Sequence, residues 1–82
     1  MIAMHPISNA RQIGATLAAR RKALKLSQTE VASRLGLSQN RLSELESQPE
    51  SLTVEQLLAL ANALGLEVTL GEQTGAKSKV DW

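Results

Sequence analysis

Apolar side chains recur along this chain at helical spacing from Ala10 to Leu64 and predict four consecutive helices. The first opens near Ser8 or Asn9, where Asn9 and Gln12 are placed for a capping box. Its apolar stripe is Ile13, Leu17 and Leu24, flanked by the small residues Ala10, Gly14 and Ala18, and it is expected to end near Lys25. The second starts at Ser27, with Glu30 completing a second box. It turns Val31, Ala32 and Leu35 inward and stops at Gly36. Only Leu37 separates that glycine from Ser38, the expected N-cap of a third helix running to about Glu46 on Leu42 and Leu45. Gln48-Pro49-Glu50-Ser51 reads as a loop. Thr53 and Gln56 then cap a fourth helix carrying Val54, Leu57, Leu58, Leu60, Ala61 and Leu64, ended by Gly65.

The period changes after Gly65. Leu66, Val68 and Leu70 alternate with polar neighbours, the pattern of a short strand. A lone strand leaves its backbone groups unpaired. The same strand of a second subunit is the economical partner, so Leu66, Val68 and Leu70 are the expected dimerisation residues. From Gly71 on, Gly, Gln, Thr, Ser and Lys dominate, as in a flexible tail. The expected architecture is an all-α helix-turn-helix bundle of four to five helices, with a short C-terminal β-strand pairing across a dimer. It divides into an arm (1–8), a helical domain (9–65), a dimerisation strand (66–71) and a tail (72–82).

Composition sharpens this picture at three points. A chain of 82 residues with 1% aromatic content must build its core from Leu, Ala, Ile and Val. Small domains bury a low fraction of their surface, so a dimer interface would add stability. The net charge of +1 conceals a segregation. Arg11, Arg20, Arg21, Lys22, Lys25, Arg34 and Arg41 face a single acid, Glu30, between positions 11 and 41, whereas positions 42–72 hold six acids and no base. A basic half opposed to an acidic half suits a polyanion on one face; the alternative is chance segregation on a solvated surface.

Two short helices joined by a tight glycine turn behind a longer first helix form a helix-turn-helix unit. Gly36 supplies the positive φ of the turn, Leu37 plugs it, and Ala32 is small where the helices cross. With Leu42 and Leu45 inward, Asn40, Ser43, Glu44 and Ser47 fall on the opposite side and Gln39 lies at the N-terminal end. That short-chained polar face suits a major groove.

The motif L-S-Q-T-E-V-A-S-R-L-G-L-S-Q-N-R-L-S-E-L-E resembles the lambda-repressor and Cro family of helix-turn-helix regulators, over roughly Arg11 to Leu66. The resemblance implies that Gln28 contacts a phosphate and braces Gln39, and that Ser38, Gln39, Asn40 and Ser43 read bases. Glu44 also matches a base-facing position. A carboxylate there accepts from cytosine but repels phosphate. Arg34 and Arg41 are the expected phosphate contacts. Arg21 lies on the stripe of the first helix and Glu46 near the core edge of the third; the family pattern pairs these positions in a partly buried salt bridge.

Within that family, the succession A-L-G-L-E-V-T-L and a polar tail ending in Asp81-Trp82 resemble HipB-type antitoxins. This implies autorepression of an operon, dimerisation through a two-stranded lid, and a HipA-type serine/threonine kinase toxin as partner. Trp82 has two readings, an exposed end group or an aromatic anchor entering a partner's pocket. The alternatives are a stand-alone phage-type or metabolic repressor without a toxin, and an interaction adaptor that has lost DNA binding.

Enzymatic chemistry is not expected. His5 and Asp81 are single, cysteine is absent, and neither a nucleophile–base pair nor a phosphate-cradling glycine loop can be assembled. No cofactor or metal is called for. The expected partners are a palindromic double-stranded DNA operator, a second copy of the chain and the kinase. No apolar run approaches the roughly 20 residues of a membrane span, and Met1 to Pro6 does not resemble a signal peptide, so a cytoplasmic location is expected.

Overall fold

The computed structural model describes residues 4–73. Among them are four α-helices in chain order: α1 (Ala10–Ala23), α2 (Gln28–Arg34), α3 (Gln39–Ser47) and α4 (Val54–Ala63). The expected tail falls mostly on residues 74–82, so Asp81 and Trp82 lie outside the described residues.

Each helix begins where a side chain can satisfy its free N–H groups. Asn9, Ser27 and Thr53 form reciprocal capping boxes with Gln12, Glu30 and Gln56. Ser38 caps α3 alone, accepting from the Arg41 N–H at 3.0 Å. The glycine stops hold where a left-handed residue is needed: Gly36 has φ +70° and Gly65 φ +72°.

The core is one cluster of Leu17, Val31, Ala32, Leu42, Leu45, Leu60 and Leu64, with Ile13, Leu26, Leu35, Leu37, Leu52, Leu57 and Leu66 packed around it. Leu42 and Leu45 are fully buried, which seats α3 firmly and leaves its other face free. Against α1, α3 approaches closely at Gly14. A Cβ there would land on the Glu46 carbonyl and come within 2.9 Å of the Pro49 ring.

Three expectations are corrected, and the buried side of α4 is identified. Helix α1 ends at Ala23, not near Lys25; Lys25 takes φ +60°, the left-handed cap conformation usually left to glycine. Leu24, past the helix end, is 40% exposed and does not belong to the inward stripe. The segment after α3 is not an irregular loop: Pro49–Ser51 is a 3-10 turn with Pro49 buried beside Gly14. On α4, Val54 and Leu58 point outward, 72% and 49% exposed, because the core needs only the Leu57, Leu60, Ala61 and Leu64 side of that helix.

Residues 66–70 take no regular secondary structure among the described residues. Leu66 is half-buried against the core and its N–H donates to Ala61 O at 2.8 Å, while Val68 is half-exposed and Leu70 fully exposed.

Candidate nucleic-acid interface

The interface candidate is the outer face of α3 and the start of α2. Gly36 reverses the chain after α2, and the Leu37 N–H donates to Ala32 O at 2.9 Å, which closes the turn. Ser38 then starts α3, and the burial of Leu42 and Leu45 turns Gln39, Asn40 and Glu44 to the exterior. Ser38, Asn40, Arg41, Ser43, Glu44, Ser47 and Gln48 line a shallow, open concavity along this face. Gln48, which the sequence pattern assigns to a loop, joins it because its N–H continues the helical bonding to Glu44 O at 2.7 Å. The signal for it was its position four residues after Glu44.

Behind this face lies a polar network. Arg21, 8% exposed, is the buried charge of α1. Its Nε donates to Glu46 Oε2 at 2.7 Å, its Nη2 to Glu46 Oε1 at 3.1 Å, and its Nη1 to the Leu26 carbonyl at 3.0 Å. A bidentate pair, with the third guanidinium nitrogen on a carbonyl, leaves no nitrogen of this buried arginine without a partner. Gln28 Nε2 donates to the same Glu46 Oε1 at 3.0 Å, and Gln28 Oε1 accepts from Gln39 Nε2. Arg21, Glu46, Gln28 and Gln39 thus form one connected chain from the core to the outer face.

Arg41 and Glu44 form an ion pair at 2.7 Å, with side chains 35% and 52% exposed. Such a pair adds little stability. It does set Glu44 beside a cation, which offsets the repulsion its carboxylate would exert on a phosphate. Arg34 is exposed on the last turn of α2. Arg20, counted above in the basic half, serves the fold instead: its Nε donates to Leu64 O at 2.8 Å and caps α4 from across the molecule. Sequence pattern gave no sign of this, because the two positions are 44 apart. With Arg20 and Arg21 turned to internal partners, Arg11, Lys22, Lys25, Arg34 and Arg41 remain as the outward cations of the basic half.

Among the described residues no cluster of three or more His, Cys, Asp or Glu side chains could hold a metal ion. No helix among them is long and apolar enough to cross a membrane.

No match to the chain was found among curated proteins or among solved structures. A family model described as helix-turn-helix matches residues 17–70, more than half of the chain and all of α2 through α4. The capped helix pair, its Gly36 turn and this match together place the chain in the lambda-repressor-type helix-turn-helix family of DNA-binding regulators.

Proposed function

We propose that the chain is a sequence-specific repressor that binds a palindromic operator as a homodimer, with α3 in the major groove. The observation that carries this reading is the face of α3: a helix pinned by two fully buried leucines and turning Ser38, Gln39, Asn40, Ser43 and Glu44 outward. Side chains of that length reach base edges without holding the helix off the groove floor. Gln28, Arg34 and Arg41 flank it as phosphate contacts, and these position the helix without carrying sequence information.

The test separates the two groups. Gln39→Ala and Asn40→Ala are expected to lose preference for the selected operator over random duplex while keeping the salt dependence of binding. Arg34→Ala is expected to weaken all duplexes alike and to flatten the log–log salt slope by about one unit. An unchanged operator-to-random ratio in both amide variants would refute the assignment.

The dimer is proposed to form through Leu66, Val68 and Leu70. The support is the alternation of these residues and the exposure of Val68 and Leu70 beyond the last helix, at the end of the family-matched segment. The reading extends to an antitoxin that represses its own operon and binds a HipA-type kinase, with Trp82 as anchor; the support is the resemblance of Ala63 to Leu70 and of Asp81-Trp82 to HipB-type sequences. Co-purification with the product of an adjacent kinase-like reading frame, lost on deleting positions 81 and 82, tests that extension. A stand-alone repressor shows operator binding with no such partner.

A further inference from the structure

Between the N-terminal ends of α1 and α4 runs a groove that is apolar inside and acidic at its mouth. Ile13 of α1, Pro49 and Leu52 of the connection between α3 and α4, and Val54 and Leu57 of α4 line a space of about 380 Å³. Ile13, Leu52 and Leu57 are partly buried where they pack on the core, whereas Val54 is 72% exposed. Pockets for small ligands begin near roughly 300 Å³, so the space suits one large side chain and not a helix. Glu50 lies at the mouth, and Glu55 follows Val54 on the exposed first turn of α4. Neither forms an ion pair among the described residues. The fitting occupant is therefore a large apolar group carried close to cations.

The N-terminal arm does not supply it. Met4 and Ile7 stand exposed and line no part of the groove, and no Lys or Arg precedes Arg11. Positions 74–82, which lie outside the described residues, hold Lys77, Lys79, Val80 and Trp82, the one aromatic side chain of the protein, with Asp81 as their single acid. Their reach is sufficient. Leu66 is the last residue tied to the core, and no hydrogen bond holds Glu67 to Gln73 among the described residues. Helix α4 separates the groove from Leu66 by roughly 15 Å, whereas the chain from Leu66 to Trp82 spans up to roughly 50 Å. Even with residues 66–70 paired to a second copy, the chain from Leu70 to Trp82 spans up to roughly 40 Å.

We propose that this groove takes the protein's own segment 77–82, with the Trp82 ring seated among Ile13, Leu52 and Leu57 and the two lysines turned toward Glu50 and Glu55. Burial of the ring is the anchor. The exposed charges add little affinity and set the direction in which the segment lies. The Glu50 carboxylate also offers an acceptor at the mouth for the indole N–H, which a buried tryptophan needs. On a short tether the segment is present at millimolar effective concentration, so a contact of only millimolar affinity fills the groove about half of the time. The docking does not depend on what α3 reads, and a partner that takes Trp82 as its anchor competes with the groove for it.

With one Trp and neither Tyr nor Phe, intrinsic fluorescence reports Trp82 alone. In the full chain its emission is expected to be blue-shifted, and its quenching by acrylamide about twofold weaker, relative to a peptide of positions 74–82. Val54→Arg plugs the mouth from an exposed position and repels the lysines. It is expected to bring both values to those of the peptide with the helical circular dichroism unchanged. Glu50→Lys should do so in part, and adding Lys77→Glu and Lys79→Glu to it should restore the shelter. Trp82→Ala then locates the contact by NMR. The methyl resonances of Ile13, Leu52 and Leu57 are expected to lose a ring-current shift, while those of Leu35 and Leu37, which do not line the groove, stay in place. A mixture of Val54→Arg with Trp82→Ala is expected to quench as Val54→Arg does alone; shelter that returns in the mixture gives the groove to the segment of a second copy and overturns docking within one chain. Peptide-like emission and quenching in the full chain, or a shelter that survives Val54→Arg while Trp82→Ala leaves the Ile13 and Leu57 methyls unaltered, overturns the proposal as well.

Discussion

Single residues decide how closely the helices approach, and Gly14 is the clearest case. Two effects oppose each other on replacing it with alanine. The helix interior gains about 1 kcal/mol from the better helix former. Against this, the new Cβ meets the Glu46 carbonyl and lies 2.9 Å from the Pro49 ring. Neither is the free end of a flexible side chain, so backbone must move, at roughly 1–3 kcal/mol or more for an overpacked site. Gly14→Ala is therefore expected to destabilise the fold by up to about 2 kcal/mol net in urea unfolding. Ala19→Gly, on the exposed side of α1, should lose about 1 kcal/mol for the opposite reason, loss of propensity alone. A stabilised Gly14→Ala would mean that α1 and α3 are not held at this distance. The sequence marks Gly14 only as a small residue beside the stripe. What makes glycine necessary is a carbonyl 32 positions later, and no local pattern carries that information. The same holds for Arg20 on Leu64. Arg21 and Glu46 were legible by another route, the family resemblance, whose pattern pairs these two positions; a charge at a stripe position needs a partner, but does not by itself say which.

At the scale of elements the caps were the most legible feature, because a capping box is written within four consecutive residues. All three expected boxes are present, and the boundaries missed were those without such a local signal. Helix α1 ends at Ala23 and is followed by Lys25 in the left-handed conformation, where a glycine would have announced the stop. The sequence names Val54 and Leu58 among the apolar residues of α4 without assigning them a side, and a ten-residue helix at the edge of a small bundle has only one side to bury. The cap of α2 also makes a pH prediction. Glu30 is held below the ordinary carboxylate range, first by the Ser27 backbone N–H, then by the Ser27 hydroxyl, with a smaller contribution from Arg34. A carboxylate lowered in the folded state stabilises it at pH above the ordinary range, and that contribution is lost as pH falls through the lowered value. Glutamine at this position still accepts from the Ser27 N–H but does not titrate. Glu30→Gln should accordingly lose less stability than the unsubstituted chain on acidification through the carboxylate range. Parallel stability–pH curves for the two proteins would show that the cap does not depend on the charge.

For the whole molecule the open matter is assembly, and Val68 offers a substitution that reads it with little disturbance of the fold. Val68 is 45% exposed, lies beyond the last helix, and its N–H makes no backbone hydrogen bond among the described residues. Proline at 68 therefore removes no contact on which the helical core depends. In the proposed dimer, however, alternate residues of 66–70 pair with the same segment of a second copy, and proline in a paired strand removes a ladder hydrogen bond and clashes with its neighbour. The two recognition helices of such a dimer would lie about 34 Å apart, one turn of duplex DNA, so that loss of pairing removes half of the operator contacts at once. Val68→Pro should leave the helical circular dichroism spectrum unchanged and lower both self-association and operator affinity. Because a dimer is stabilised by mass action, the melting temperature of the unsubstituted chain should also rise with protein concentration, and that dependence should vanish in the variant. A Val68→Pro protein that still sediments as a dimer at micromolar concentration would place the subunit contact elsewhere, and the outward Val54 and Leu58 of α4 are then the next positions to substitute.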